Sequence, residues 1–338
     1  MATRVLIIDD SATMRAVLAA RLSGQPGIQV VGLASNAAEG RTAIKELTPD
    51  VVTLDIEMPG MNGLDFLDKI MTLRPTPVII VSGLTQAGSD VTAKALGLGA
   101  VDCYCKSDFS GNALDDGGKL AAMVRTAAQV TVRSRAVPNA NRMQAPLRAA
   151  TRHGTRIIAI GSSTGGVEAL QVLLSDFPED CPPTMIVQHV DARFAPAIAR
   201  TLNGVCRAQV VLAEPDTPLR RGMVYLAPGD DRHLLLGGMG TLHAKLRQGE
   251  PISGHRPSVD ALFHSVAQVA GPNAVGILLT GMGADGAKGL LAMAQAGAHT
   301  IAQDEASCTV FGMPRVAISL GAANIVAPLG AIAQHAFS

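Results

Sequence analysis

IIAIGSSTGG, residues 157–166, is the stretch that decides the fold of the second half of the chain. Its apolar start predicts a buried strand, its glycines and serines predict a tight turn, and Val167–Leu170 continue at helical spacing. A strand that passes through a tight turn into a helix is the repeating unit of α/β domains. Ser163 lies at the centre of a G-x-S-x-G spacing, in which a sharp turn can expose a nucleophilic hydroxyl. A purely structural turn of small residues satisfies the same spacing.

The composition restricts the classes of protein to which the chain can belong. Its 338 residues suffice for about two domains. Net charge is zero and no apolar run approaches the ~20 residues of a membrane span, so we expect neither nucleic-acid binding nor membrane insertion. Five cysteines without a C-x-x-C pair, and an N-terminus without a signal peptide, predict a cytoplasmic protein.

The first half alternates short apolar strands with Ala- and Leu-rich helical patterns. The predicted strands cover residues 5–9, 29–33, 51–55, 78–82 and 101–104, and the helices cover 13–22, 37–47, 64–73 and 90–98. This alternation predicts a doubly wound parallel sheet, whose function gathers at the carboxyl ends of the strands.

Polar residues stand at four of those strand ends. Asp9 and Asp10 end the first strand, Asp55 the third and Ser82 the fourth, while Lys106 follows the fifth. Crowded carboxylates need a cation, and hard oxygen ligands suit Mg²⁺. One carboxylate could then accept a phosphoryl group whose oxygens Mg²⁺ and Lys106 neutralise. A single Asp would be an ordinary cap or turn residue, but this convergence favours a functional site.

These residues resemble a response-regulator receiver domain over about residues 1–125. The resemblance rests on Asp9-Asp10-Ser11, Asp55-Ile56-Glu57-Met58-Pro59-Gly60-Met61-Asn62-Gly63, Val81-Ser82 and Lys106.

The receiver resemblance implies a flavodoxin-like fold and roles for individual residues. It makes Asp55 the phosphoacceptor, and it assigns Mg²⁺ to the side chains of Asp9, Asp10 and Asp55 with the Glu57 carbonyl. It gives Ser82 and Lys106 contacts to the phosphate. One departure is Ser107, because the family commonly places a cis proline after the lysine.

We predict a receiver domain at residues 1–128, a linker at 129–153 and a catalytic domain at 154–338. The linker region carries arginines and no Asp or Glu. It is interpreted either as a solvated connector or as a basic strip that meets an acidic receptor tail or the kinase.

The second half alternates strands and helices at longer spacing. The predicted strands cover residues 156–160, 184–188, 209–213, 223–226, 233–236, 274–280 and 299–302, and the helices cover 167–174, 193–202, 259–269 and 285–296. We expect a second doubly wound, Rossmann-like domain, with a β-rich insertion at 223–236 and 241–246.

A serine nucleophile requires a base and an orienting acid. His189 directly follows one predicted strand, and Asp285 follows another across the loop 281–284. The chain order Ser, His, Asp differs from that of α/β-hydrolases. The alternative esterase would pair Ser163 with an acid and a later histidine such as His255; the candidate acids are Asp216, Asp230 and Asp231.

The second half carries four longer motifs: Gly161-Ser-Ser-Thr-Gly-Gly166, Gln188-His189, His255-Arg-Pro-Ser-Val-Asp260 and Thr280-Gly-Met-Gly-Ala-Asp-Gly286. With these motifs it resembles the chemotaxis protein-glutamate methylesterase family. The resemblance implies a serine hydrolase with Ser163 as nucleophile, His189 as general base and acid, and Asp285 orienting the histidine.

That family implies glutamyl methyl esters of methyl-accepting chemotaxis receptors as substrate, receptor glutamines to deamidate, and a histidine kinase as phosphodonor. It also suggests that phosphorylation relieves inhibition of the Ser163 site by the receiver domain. We expect a monomer, and hydrolysis without a cofactor.

Two further residues are candidates at the catalytic site. Flanking glycines make the Met282 N–H the expected oxyanion donor. Thr164 is either a helix N-cap or a substrate contact.

Two non-enzymatic alternatives remain: a transcriptional regulator, which the absence of a basic recognition helix disfavours, and a scaffold that only docks on receptors.

Overall fold

A computed structural model describes residues 2–58, 62–83, 86–106, 118–130, 132, 157–238 and 240–338. The chain divides into two compact units, Met1–Ala140 and Asn141–Ser338. Most of the predicted linker lies outside the described residues, so its boundaries at 129 and 153 stay a prediction. In the described part of the chain no helix is long and apolar enough to cross a membrane.

The first unit is one five-stranded sheet in the order β2-β1-β3-β4-β5, with every pair parallel. Its strands are β1 (Thr3–Ile8), β2 (Ile28–Ala34), β3 (Val51–Asp55), β4 (Val78–Ser82) and β5 (Asp102–Cys105). Its helices are α1 (Ala12–Ser23), α2 (Ala37–Leu47), α3 (Gly63–Leu73), α4 (Gln86–Gly97) and α5 (Lys119–Ala127). The predicted doubly wound fold is confirmed; α5 was not predicted, and α4 begins four residues before its predicted start.

The strand order of the first unit reverses between β1 and β3. Every residue of β3 and β4 is buried, as expected for strands covered by helices on both faces. Asp9 and Asp55 lie at the carboxyl ends of the two strands on either side of the reversal. Ligand sites in open α/β sheets form at this switch point.

The second unit is a seven-stranded parallel sheet in the order β14-β13-β12-β6-β7-β9-β8. Its strands are β6 (Ile157–Ser162), β7 (Thr184–Gln188), β8 (Gln209–Leu212), β9 (Met223–Leu226), β12 (Ala274–Leu278), β13 (His299–Gln303) and β14 (Ile325–Ala327). Its helices are α6 (Gly166–Ser175), α7 (Ala195–Asn203), α8 (Val259–Ala270), α9 (Ala287–Gln295), α10 (Met313–Ser319) and α11 (Leu329–Phe337).

A separate antiparallel ribbon joins β10 (Arg232–Gly237) to β11 (His243–Gln248). The predicted β-rich insertion was therefore too wide, because β9 lies inside the main sheet between β7 and β8. The inner face of the ribbon carries Leu234, Leu236 and Ala244 into the same core as β6 and α8. Burial of those side chains holds the ribbon against the sheet.

The switch point of the second sheet lies between β6 and β12. From β6 the chain continues to β7 on one side, and it returns much later to β12 on the other. In the register, Leu278 pairs with Gly161 and Ser162 pairs with Gln188. The segments that follow β6, β7 and β12 therefore meet at one edge of the sheet.

Candidate active site

The turn after β6 presents Ser163. Its backbone N–H donates to the Thr280 carbonyl at 3.0 Å, and its own carbonyl accepts from the Gly166 N–H at 2.7 Å. Gly165 has a φ of 73°, and a Cβ there would lie 2.4 Å from the Cβ of Thr309. Both observations require glycine at this position. Because Gly165 occupies the N-cap position of α6, the N-cap alternative for Thr164 is wrong.

Gln188, the last residue of β7, forms hydrogen bonds both with the serine turn and with His189. Its Oε1 accepts from the Ser162 hydroxyl at 2.7 Å. Its Nε2 donates to the carbonyls of Ser163 at 2.9 Å and His189 at 3.1 Å. The buried glutamine therefore fixes the backbone of the serine turn relative to the backbone of the histidine. Sequence reasoning missed this role, although Gln188 stands directly before His189.

His189 and Asp285 form the hydrogen-bonded pair of the site. The His189 Nε2 lies 2.8 Å from the Asp285 Oδ2, and both side chains are almost completely buried. The other ring nitrogen, Nδ1, is buried and has no hydrogen-bond partner among the described residues. A proton acceptor at Nδ1 and a carboxylate at Nε2 is the arrangement that general-base chemistry requires.

The Asp285 carboxylate sits on the N-terminus of α8. Its Oδ1 accepts from the Ser258 hydroxyl at 2.8 Å and the Asp260 N–H at 2.9 Å, and its Oδ2 accepts from the Val259 N–H at 2.8 Å. Burial raises the pKa of Asp285, but the hydrogen bond and charge of His189, together with the backbone donors, outweigh it and hold that pKa below its usual value. An anion at a helix N-terminus gains further from the helix dipole.

His255 stacks on His189. The ring centroids are 3.8 Å apart and the ring planes differ by 7°. Burial and the charge of His189 lower the pKa of His255, so the neutral ring is favoured against its neighbour.

The acids of the alternative esterase are placed elsewhere. Asp230 pairs with Arg232, Asp231 accepts from the Gln248 side chain at 3.0 Å, and Asp216 is exposed. None of the hydrogen bonds between described residues joins these acids to His255. The geometry therefore favours the order Ser163, His189, Asp285 over that of an α/β-hydrolase.

The loop after β12 lies directly against Ser163. A Cβ at Gly281 would be 2.7 Å from the Ser163 Cβ and 2.3 Å from the Met313 Sδ, so the backbone approaches the serine as closely as glycine allows. Gly283 has a φ of 84°, and the Met282 side chain between the two glycines is 48% exposed. This position next to the serine suits Met282 as an oxyanion donor or substrate contact, and that role stays a prediction.

A second cluster lies at the carboxyl edge of the first sheet. Carboxylate oxygens of Asp9, Asp10 and Asp55 lie within 4.8 Å of one another. The Lys106 Nζ lies 2.6 Å from the Asp55 Oδ2 and 3.1 Å from the Asp9 Oδ2. Burial first, and then the charge of Asp55, raise the pKa of Asp9 despite the lysine. Three close carboxylates that repel each other fit the hard, oxygen-ligated coordination of Mg²⁺.

The remaining predicted receiver residues lie beside this cluster. The Ser82 hydroxyl points to the carbonyls of Gly83 at 3.3 Å and Gly88 at 3.4 Å, and no hydrogen bond among the described residues joins it to Asp55. The Glu57 N–H donates to the Asp55 Oδ1 at 3.1 Å, which places the Glu57 backbone at the site. Ser107 and residues 59–61 lie outside the described residues.

Comparison with known proteins identifies relatives of both halves. Residues 158–336 match the family described as CheB methylesterase, and residues 5–114 match the response regulator receiver domain. The chain is 52% identical to a protein-glutamate methylesterase/protein-glutamine glutaminase 1 of Rhizobium johnstonii, over 98% of this chain and 95% of the relative. It is 51% identical to the protein of that name from Caulobacter vibrioides, over 98% and 96%.

The second half also resembles a solved structure. The crystal structure of the Thermotoga maritima CheB methylesterase catalytic domain is 34% identical, with a TM-score of 0.53, and the match covers 54% of this chain and 97% of that one.

Proposed function

The chain belongs to the CheB methylesterase family, and we propose that it is a phosphorylation-activated serine hydrolase that demethylates glutamyl methyl esters of chemotaxis receptors. The observation that carries the proposal is the His189–Asp285 pair, anchored on α8 and placed at the same sheet edge as the Ser163 turn.

The first chemical step forms an acyl-enzyme. The Ser163 Oγ attacks the ester carbonyl while the His189 Nδ1 takes its proton, and Asp285 stabilises the imidazolium through Nε2. The loop around Met282 supplies a backbone donor for the oxyanion. The imidazolium then returns the proton to the departing methoxide, so methanol leaves and a glutamyl ester of Ser163 remains.

The second step uses the same residues in reverse. The His189 Nδ1 takes a proton from water, whose oxygen attacks the glutamyl ester, and the proton then passes to the Ser163 Oγ. The products are a glutamate on the receptor and the regenerated hydroxyl of Ser163. A glutamine side chain passes through the same steps and releases ammonia, which accounts for the glutaminase in the names of the relatives.

The receiver cluster controls the enzyme. We infer that Asp55 accepts a phosphoryl group from a histidine kinase, with Lys106 and the Ser82 hydroxyl contacting its oxygens. Asp9, Asp10, Asp55 and the Glu57 carbonyl would hold Mg²⁺, which when bound neutralises charge on the transferring phosphoryl group.

Phosphorylation then shifts a two-state equilibrium. The unphosphorylated receiver inhibits the catalytic unit, and a tenfold shift toward the active state needs ~1.4 kcal/mol of differential stabilisation. The receptors, the kinase, a cytoplasmic location and a monomeric state belong to this proposal.

Methanol release separates this proposal from its alternatives. We expect the protein to release methanol from methylated receptor and to hydrolyse a generic aryl ester far more slowly. Rapid aryl ester hydrolysis without methanol release would favour a general esterase, and no hydrolysis of either substrate would favour a scaffold.

A further inference from the structure

We propose that His233 of the β10–β11 ribbon is a positioning residue for hydrolysis, which acts on Asp285 through Ser258. This inference rests on the proposed function of the Ser163 site. It assigns a role to the ribbon, which the sequence marked only as an insertion.

The ring of His233 joins two backbone segments. It is 4% exposed, its Nε2 lies 3.0 Å from the Glu250 carbonyl oxygen, and its Nδ1 lies 3.2 Å from the Ser258 nitrogen. A carbonyl oxygen can only accept and a backbone N–H can only donate. Nε2 therefore carries the proton and Nδ1 accepts, so these contacts specify the neutral ring with one tautomer.

Ser258 connects this histidine to Asp285. It is the N-cap of α8: its Oγ accepts from the Ala261 N–H at 3.3 Å and donates to the Asp285 Oδ1 at 2.8 Å. The next two N–H groups of the helix also donate to the Asp285 carboxylate. Asp285 therefore takes three of its hydrogen bonds from Ser258 and the first two residues of α8. A shift of that end of the helix would move the Asp285 carboxylate with it.

The ribbon binds α8 at a second point, two turns further along. The Leu236 N–H donates to the Ser265 Oγ at 2.8 Å, and that hydroxyl donates to the Leu262 carbonyl at 2.6 Å. One bond near the start of α8 and one along its length fix both its position and its direction relative to the ribbon. Loss of the His233 acceptor leaves the buried Ser258 N–H unpaired, and the structure relieves that cost by moving the helix end.

Two amide substitutions separate the roles of the two ring nitrogens of His233. In His233→Asn the amide oxygen can replace Nδ1 as acceptor for the Ser258 N–H. In His233→Gln the amide can replace the Nε2–H donor to Glu250, but it leaves Ser258 without its acceptor. Lys245→Gln, on the exposed face of β11, is the matched control in the same ribbon.

The experiment measures methanol release by the full-length proteins over a range of methylated receptor concentrations. We expect kcat of His233→Gln to fall about tenfold with KM unchanged, because a displaced acid impairs proton transfer and not receptor binding. Labelling of Ser163 by an organofluorophosphonate should slow in the same proportion. His233→Asn and Lys245→Gln should stay within about threefold of wild type.

Wild-type kcat in His233→Gln would overturn the inference, as would equal losses in the Asn and Gln variants. If neither His233 variant folds, Ser265→Ala tests the same coupling at the ribbon's second bond to α8, because it leaves the Leu236 N–H without its acceptor: a fall in kcat at unchanged KM supports the inference, and wild-type kcat contradicts it. Methanol release by Ser163→Ala at the wild-type rate would instead refute the proposed function itself.

Discussion

At the residue scale, Ser162 and Ser163 are neighbours in very different surroundings. Ser162 is completely buried and its hydroxyl donates to Gln188, whereas Ser163 is partly exposed at the turn. The hydroxyl of Ser162 is therefore engaged by Gln188, and the partial exposure of Ser163 favours Ser163 as the predicted nucleophile.

Ser163→Ala should abolish methanol release, with a loss on the order of 10⁴-fold or more. The fold should remain, because the side chain is small and lies in a turn; circular dichroism checks this. Ser162→Ala should cost far less activity, because it removes the hydrogen bond to Gln188 but not the attacking oxygen. A tenth of wild-type activity in Ser163→Ala would show that Ser163 is not the nucleophile.

The depressed pKa of Asp285 predicts a pH-dependent contribution to stability. The folded state favours ionised Asp285, so its contribution is present above the unfolded pKa of about 3.9 and is lost as pH falls through the lower folded pKa. Asp285→Asn should therefore be less stable than wild type at pH 7, and the deficit should shrink below about pH 4. Urea unfolding of residues 153–338 measures it. A deficit that is unchanged at pH 2 would contradict this view of the carboxylate.

At the scale of elements, the turn between β6 and α6 depends on glycine for two separable reasons. Gly321, which follows α10 and lies outside this turn, serves as the reference: it has a φ of 69° and no atom within 4 Å of an added Cβ, so Gly321→Ala measures the backbone cost alone, about 1–2 kcal/mol. Gly165→Ala adds a collision with Thr309.

Gly165→Ala should therefore destabilise the catalytic unit more than Gly321→Ala does, and it should also lower kcat by displacing Ser163. Thr309→Gly in the Gly165→Ala background removes the Thr309 Cβ that the new Cβ would meet at 2.4 Å, so it should recover part of the stability. Denaturant unfolding and methanol release check both effects. Equal stability of the two single variants would mean that the turn adapts to the added Cβ.

Sequence periodicity located the strands well where both faces are buried. The predicted bounds of β3, β4 and β7 are those of the structure, because each is a continuous apolar run with a clear end. It failed for β14, which has three residues, and for α11, whose N-cap Pro328 makes no side-chain cap bond. The placement of β9 in the main sheet depends on long-range strand pairing, about which local sequence patterns carry no information.

The candidate site likewise contains contacts that the sequence predicted and contacts that it did not. His189 and Asp285 were predicted neighbours because carboxyl ends of parallel strands share an edge. The support from Ser258, Gln188 and His233 was missed, since each contact joins residues about 25 positions apart through tertiary packing. The sequence marked residues 255–260 as a motif, but its role as a cradle for Asp285 required the three-dimensional position of α8.

At the scale of the whole molecule, the two units should be separable. The matched catalytic domain from Thermotoga maritima was solved on its own, and each unit here has its own sheet and core. A protein of residues 153–338 should hydrolyse methylated receptor without a phosphodonor, at least as fast as the unphosphorylated full-length chain, and added donor should have no effect. Activity well below that of the full-length chain, with the fold verified, would mean that the receiver assists catalysis.

Methanol release by the full-length chain, with and without a small phosphodonor and Mg²⁺, tests the central claim most directly. We predict that the donor increases the rate in wild type, that Asp55→Asn keeps only the basal rate because an amide is a poor phosphoryl acceptor, and that Ser163→Ala releases no methanol under either condition. An equal increase in Asp55→Asn, or no response in wild type despite phosphate labelling of Asp55, would contradict the account of a hydrolase controlled by its receiver domain.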